Sequence, residues 1–131
     1  GGGEDRHTAS GESSLYSYYD SDQWTYPTHF NETLGIKVKL EGPSDADFDV
    51  YVTKDGRRPS KWDYDKRGYS SNSQEEVTFG QDEIDSDHTR WGIMVDSYRG
   101  RGDYKVTVIE VGKGGERNTY SITEAGNLTS E

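Results

Sequence analysis

Two short runs of carboxylates are the residues here best suited to chemistry. Asp45, Asp47 and Asp49 recur every second residue, and Asp82, Glu83, Asp85 and Asp87 crowd a later polar stretch. Calcium takes six to eight oxygens, mostly from carboxylates and carbonyls. The metal-ligating candidates are therefore Asp45, Asp47, Asp49, Asp82, Asp85 and Asp87, with calcium as the ion. The alternative is plain solvation, since charge runs are usually surface. No twelve-residue EF-hand loop is present, and the later loop would have to fold round an ion to use all its carboxylates.

Catalysis finds no foothold. The histidines are His7, His29 and His88. None sits in a helical His-pair metal motif, and His7 and His88 read as exposed loop residues. There is no G-x-S-x-G elbow, no phosphate loop and no cysteine. The many carboxylates could form an acid–base pair, but nothing selects two of them.

Rings offer a second kind of chemistry, adhesion. Trp62 and Tyr64 alternate along one strand and so share a face, which is either core or binding surface. Tyr98 stands beside turn glycines, where burial is hard. Arg57, Arg58, Arg99 and Arg101 lie in two turns and could bond carboxylates or carbonyls. Aromatic side chains suit protein or sugar surfaces because they bring area at small entropic cost.

The elements that must position these groups read as β-strands. Asp45-Ala-Asp-Phe-Asp-Val-Tyr-Val-Thr53 alternates, with Phe48, Val50 and Val52 on one face and Asp47, Asp49, Tyr51 and Thr53 on the other, Asp45 continuing the acidic line. Ile36–Leu40, Gln74–Phe79, Arg90–Asp96 and Tyr104–Glu110 alternate too, the last two as a hairpin about a glycine turn. Leu15–Tyr19 and Thr119–Thr123 are weaker strand signals. Pro27 marks Gln23–Phe30 as an edge or bulged strand. Asn31–Gly35 reads as a turn, and Gly112–Gly115 as a flexible break. No stretch keeps a helical period, so short strands between turn signals predict an all-β sandwich.

Composition agrees. The chain has 131 residues, which suits one domain, and only 28% are hydrophobic. Disorder of that polarity usually lacks rings, yet Tyr 10, Trp 3 and Phe 3 are present. Lys+Arg 15 against Asp+Glu 25 leaves a net charge of -10. Phosphate-rich partners, whether nucleic acid or anionic membrane, would be repelled. No apolar run approaches membrane-spanning length. The chain reads as an excised mature domain, with residues 1–14 a flexible lead-in, 15–111 the sandwich and 112–131 a final strand or polar tail. Asn31-Glu-Thr33 and Asn127-Leu-Thr129 fit the glycosylation pattern.

The order of features is distinctive. Asp47-Phe-Asp-Val-Tyr-Val leads to Arg58-Pro-Ser-Lys-Trp-Asp-Tyr-Asp65, then Glu75-Glu-Val-Thr-Phe, then Trp91-Gly-Ile-Met-Val-Asp-Ser-Tyr-Arg-Gly-Arg-Gly-Asp-Tyr-Lys-Val-Thr-Val108. Across residues 15–109 this resembles the bacterial pre-peptidase C-terminal domain, a module of many secreted proteases, and the related collagen-binding domains of clostridial collagenases. The resemblance implies a jelly-roll-like antiparallel β-sandwich, no catalysis by the domain itself, and secretion beside a parent hydrolase. It places Met94 and Tyr98 at contact positions, with Asp96 where the collagen-binding relatives carry a tyrosine. Those relatives bind calcium through an N-terminal linker whose pattern Gly3–Glu12 lacks.

The expected function is a monomeric, secreted accessory domain of a protease or related hydrolase. It would bind a protein or polysaccharide polymer, or steady the parent catalytic domain, with calcium. Met94, Tyr98, Arg99, Trp62 and Tyr64 are the ligand-binding candidates. A carbohydrate-binding module and a structural cell-surface spacer are the other readings.

Overall fold

A computed structural model describes residues 3–125. Among these residues nine strands run β1 (Asp5–Leu15), β2 (Ser21–Pro27), β3 (Phe30–Glu41), β4 (Asp47–Thr53), β5 (Lys66–Gly68), β6 (Gln74–Phe79), β7 (Arg90–Arg99), β8 (Gly102–Glu116) and β9 (Thr123–Ala125). They form two sheets, ordered β1-β8-β3-β6 and β5-β4-β7-β2-β9. Every pairing is antiparallel. The protein is an all-β sandwich, as alternation predicts, in the jelly-roll-like antiparallel form that the resemblance implies.

Alternation explains the core directly. Ile36, Val38 and Leu40 of β3 and Val106 and Val108 of β8 point inward from one sheet. Phe48, Val50 and Val52 of β4 and Trp91, Ile93 and Val95 of β7 meet them from the other. Each fully buried aliphatic or aromatic side chain stabilises the fold by about 1.5–3 kcal/mol.

The same inward row of β8 continues to Glu110, which is fully buried. Its carboxylate accepts from Tyr26 Oη, from the His29 and Phe30 amides at 2.7 and 3.3 Å, and from Thr33 Oγ1 at 2.8 Å. Tyr26 belongs to the opposite sheet, so Glu110 ties the sheets together where β2 turns into β3. Burial, then the bond to Glu110, holds the Tyr26 phenol well above its usual range, so it stays a donor.

Several local readings change. Within the expected lead-in, residues 5–14 are strand: β1 pairs with β8 throughout, from Asp5↔Gly112 to Leu15↔Gly102. It escaped notice because an edge strand buries little; only Ala9 and Leu15 are fully inside, and Trp24 packs against Gly11 where a side chain would stand. Leu15–Tyr19 turns rather than extends, with Tyr19 at φ 69. Asn31–Gly35 is strand, kept in β3 by two register shifts. Pro27 closes β2 at its last residue, so β2 sits inside its sheet between β7 and β9. The expected break at Gly112–Gly115 lies within β8, and the last strand begins at Thr123. Asn127-Leu-Thr129 lies outside the described residues.

Glu110→Ala strands four donors in the core and should cost about 3 kcal/mol of unfolding free energy. Glu76→Ala, which removes only an exposed pair with Lys37, should cost under about 0.5 kcal/mol. Urea unfolding of both variants checks this.

Candidate functional site

Outward-facing residues of β4 and β7 are buried despite pointing away from the core. The reason is the segment after β4, which crosses that face. Gln23 Nε2 donates to Pro59 O at 3.1 Å, Thr53 Oγ1 donates to Arg57 O at 2.5 Å, and Lys61 Nζ lies 3.4 Å from Asp96 Oδ2. Gly92 permits this contact: a Cβ there would stand 2.8 Å from Arg57 O. Arg57 fastens the segment by reaching Asp55, Asp63 and Asp65 at once.

This cover decides the fate of the predicted contact residues. Met94, paired with Gln23 and Tyr51, is only 5% exposed and offers little to a partner. Trp62 and Tyr64 do not lie on a strand; bends carry them, leaving Trp62 92% exposed and Tyr64 half-buried against Tyr51. Tyr98 is exposed, as its turn suggested, and so is Arg99, whose Nη1 reaches Asp45 O at 3.5 Å. Tyr18 and Tyr19 lie with ring centroids 3.7 Å apart and tilted by 33° beside Lys61, whose ammonium sits 4.2 Å over Tyr19.

The acidic candidates divide. Asp47 and Asp49 are buried at 8% and 6% exposure, and Glu75 joins them at 8%. One carboxylate oxygen from each lies within 4.8 Å of the others. Glu75 comes from β6 of the opposite sheet, so this trio spans the sandwich edge. It passes Gly68 of β5, where a Cβ would stand 2.9 Å from Glu75 Cβ. Strand alternation gave no sign of Glu75, because the crossing belongs to tertiary structure. Asp45 is exposed outside the trio. Asp82 belongs to a single helical turn at Gln81–Glu83, while Asp85 and Asp87 gather with His88 as a separate, mostly exposed cluster. The six predicted ligands therefore do not converge on one ion.

The trio's electrostatics are unrelieved. Asp47 Oδ1 and Asp49 Oδ1 are buried without a hydrogen-bond partner. Glu75 accepts from Ser70 Oγ at 2.9 Å. Asp96 faces Asp49 across the β4–β7 ladder and has Lys61 beside it. Burial first, then Asp47, pushes the Asp49 carboxyl up to about 8, and burial also raises Glu75 and Asp96. A buried carboxylate needs a cation or a proton. This set of hard oxygens suits a divalent ion such as calcium.

A groove of about 390 Å³ opens over this floor, lined by Asp47, Asp49, Tyr51, Arg67, Tyr69 and Tyr98 among others. The Arg67 guanidinium lies 3.7 Å over the Tyr69 ring.

The histidines depart from expectation. His7 is half-buried on β1 and stacks on His29 at 3.8 Å and 4°, with His29 Nε2 3.3 Å from Glu116. Burial, then His29, lowers the His7 pKa. His88 is half-buried, its Nδ1 accepting from the Asp85 amide at 2.9 Å. His88 shares a pocket with Thr28, Ser86 and Thr89.

Fold and site together define an antiparallel β-sandwich with an acidic, ring-lined groove. In sequence, the chain is similar to the halolysin-like extracellular serine protease Nep of Natrialba magadii, at 35% identity over 84% of this chain and 20% of that protein. It is similar also to halolysin of Haloferax mediterranei, at 34% over 76% of this chain and 19% of that protein. The chain thus spans about a fifth of the length of these proteases. No protein-family model matches it. Among solved structures, the fold matches the pre-peptidase C-terminal domain of a Bacillus anthracis collagenase, with TM-score 0.55, 14% identity, and 77% and 88% of the two chains covered. It also matches the periplasmic lysozyme inhibitor PliG of Aeromonas hydrophila, with TM-score 0.55, 15% identity, and 80% and 86% covered. At such identity these two share the fold alone. No helix among the described residues is long and apolar enough to cross a membrane.

The raised Asp49 carboxyl fixes a pH dependence in chelated protein. The folded state holds a proton that the unfolded chain, with Asp near 3.9, has lost. That contribution is present below about pH 4 and lost as pH rises through about 8. Thermal melts in chelator should therefore lose stability across this window, and Asp49→Asn should flatten the loss.

Proposed function

We propose that this chain is a non-catalytic accessory module of a secreted protease or related hydrolase, calcium-dependent in its stability and binding. It docks a substrate polymer or steadies the parent catalytic domain, and acts as a single copy. The observation that carries this reading is the match to about a fifth of two proteases, one of them named extracellular, by an antiparallel β-sandwich. Calcium dependence rests on the trio Asp47, Asp49 and Glu75, whose buried oxygens lack a counter-charge. Binding rests on the exposed rings Tyr98, Tyr69 and Trp62, which replace Met94 as contacts. Net charge leaves nucleic acid and anionic membrane outside the partner set.

A second reading, a carbohydrate-binding module, is favoured by the groove, whose phenols, hydroxyls and guanidinium resemble the surroundings a sugar requires.

Calcium at about 1 mM, a level suited to extracellular sites, should raise the melting temperature of chelated protein by roughly 5 °C. Asp49→Asn together with Asp47→Asn should abolish the rise. Asp85→Asn with Asp87→Asn should leave it intact. The isolated chain should release no peptides from casein. Peptide release would sink the accessory reading, and a flat melt would sink the calcium reading.

A further inference from the structure

We infer that the groove above Asp47, Asp49 and Glu75 is a subsite for a neutral polysaccharide, two neighbouring hydroxyls of one sugar completing the coordination of the bound cation. The inference rests on the calcium reading just given.

The floor supplies the first argument. Asp47 and Asp49 are more than nine-tenths buried, each keeps one oxygen without a hydrogen-bond partner, and each brings a carboxylate oxygen within 4.8 Å of the other two residues of the trio. Three carboxylates give six oxygens at most, and calcium takes six to eight. The remaining positions are reached from the groove, because Asp47 and Asp49 themselves line it.

The lining supplies the second. Beyond the carboxylates it consists of Tyr51, Tyr69, Tyr98, Arg67, Ser70 and Ser71. No aliphatic side chain is among them, so every apolar contact in the groove is made by a phenol ring. A sugar ring presents C–H faces, which pack on phenol rings, and hydroxyls, which bond serine and guanidinium groups. Tyr69 and Tyr98 are 60% and 58% exposed, with Arg67 over one face of Tyr69. The volume falls within the range of small-ligand sites, about 300–1,000 Å³.

Arg67 supplies the third. Its planar group rests on Tyr69 and hydrogen-bonds the phenols of Tyr69 and Tyr51. Stacking fixes the fork while leaving donors for a ligand.

Charge selects among sugars. A net charge of -10 and an acidic floor disfavour uronate or sulfated chains, so the polymer is neutral. The groove wall is also bound to the floor. Ser70 donates to Glu75, and the buried Ser73 hydroxyl donates to Ala46 O and accepts from the Phe48 amide, both at 2.9 Å. A cation on Glu75 thereby holds the wall that carries Tyr69.

Affinity electrophoresis of the chain through gels containing starch, β-1,3-glucan, galactomannan or polygalacturonate tests this, with about 1 mM calcium or with chelator. At least one neutral polymer should retard the protein in calcium and not in chelator. Tyr69→Ala and Tyr98→Ala should each weaken retardation about tenfold, the loss of one ring contact, while keeping the calcium-dependent melting shift. The inference is overturned if no neutral polymer retards the protein while calcium still raises its melting temperature, an outcome that leaves the calcium reading standing. Retardation equal in chelator, unchanged in both tyrosine variants, or strongest with polygalacturonate also overturns it. A flat calcium melt removes the calcium reading and this inference together.

Discussion

The sandwich depends on the buried carboxylate of Glu110. Few of the residues are apolar, so two thin hydrophobic faces must be held in register by polar ties as well as by packing. Glu110 gathers one phenol, two amides and one hydroxyl at the corner where the chain leaves one sheet for the other. Trp24 Nε1 donates to Tyr104 Oη at 2.8 Å, and Tyr104 in turn donates to Asp22. Satisfied in this way, buried polar groups specify one arrangement of the sheets rather than merely tolerating it.

The second buried carboxylate cluster is built on the opposite plan. Glu110 is surrounded by donors, whereas Asp47 and Asp49 keep oxygens that no protein donor meets. Both sites join the sheets, one with neutral donors and the other through Glu75. The difference separates a tie that the chain completes itself from one that calls for something added. A cation there would do for the β4–β6 edge what Tyr26 and the corner amides do for the β2–β3 corner.

Much of the fold was legible because period-two alternation is a direct consequence of strand geometry. β4, β6, β7 and β8 follow it, and their inward rows form the core. β1 was illegible for the same reason: its edge position leaves Arg6, Thr8, Ser10 and Glu12 in solvent and asks for almost no apolar residue. At the site, Asp47 and Asp49 could be paired from spacing alone. Glu75 could not, since its approach depends on the absence of a side chain at Gly68. Met94 misled because alternation tells which face a residue takes, not whether a later segment covers that face. Residues 56–61 do cover it, through contacts to Gln23, Thr53 and Asp96 that no local pattern announces.

The pairing of β1 with β8 joins residues 5–15 to residues 102–112. A chain made from its N-terminus therefore emerges with its first strand lacking a partner until nearly all the domain has followed. Such a ladder closes a loop of about a hundred residues, the kind of distant contact that slows folding. During that interval the β1 segment must stay unpaired without recruiting another chain. Its charged and hydroxyl-rich sequence, poor in apolar residues, suits the wait: it gives a neighbouring strand little to adhere to. The same composition that hid the strand protects it while the molecule is being made.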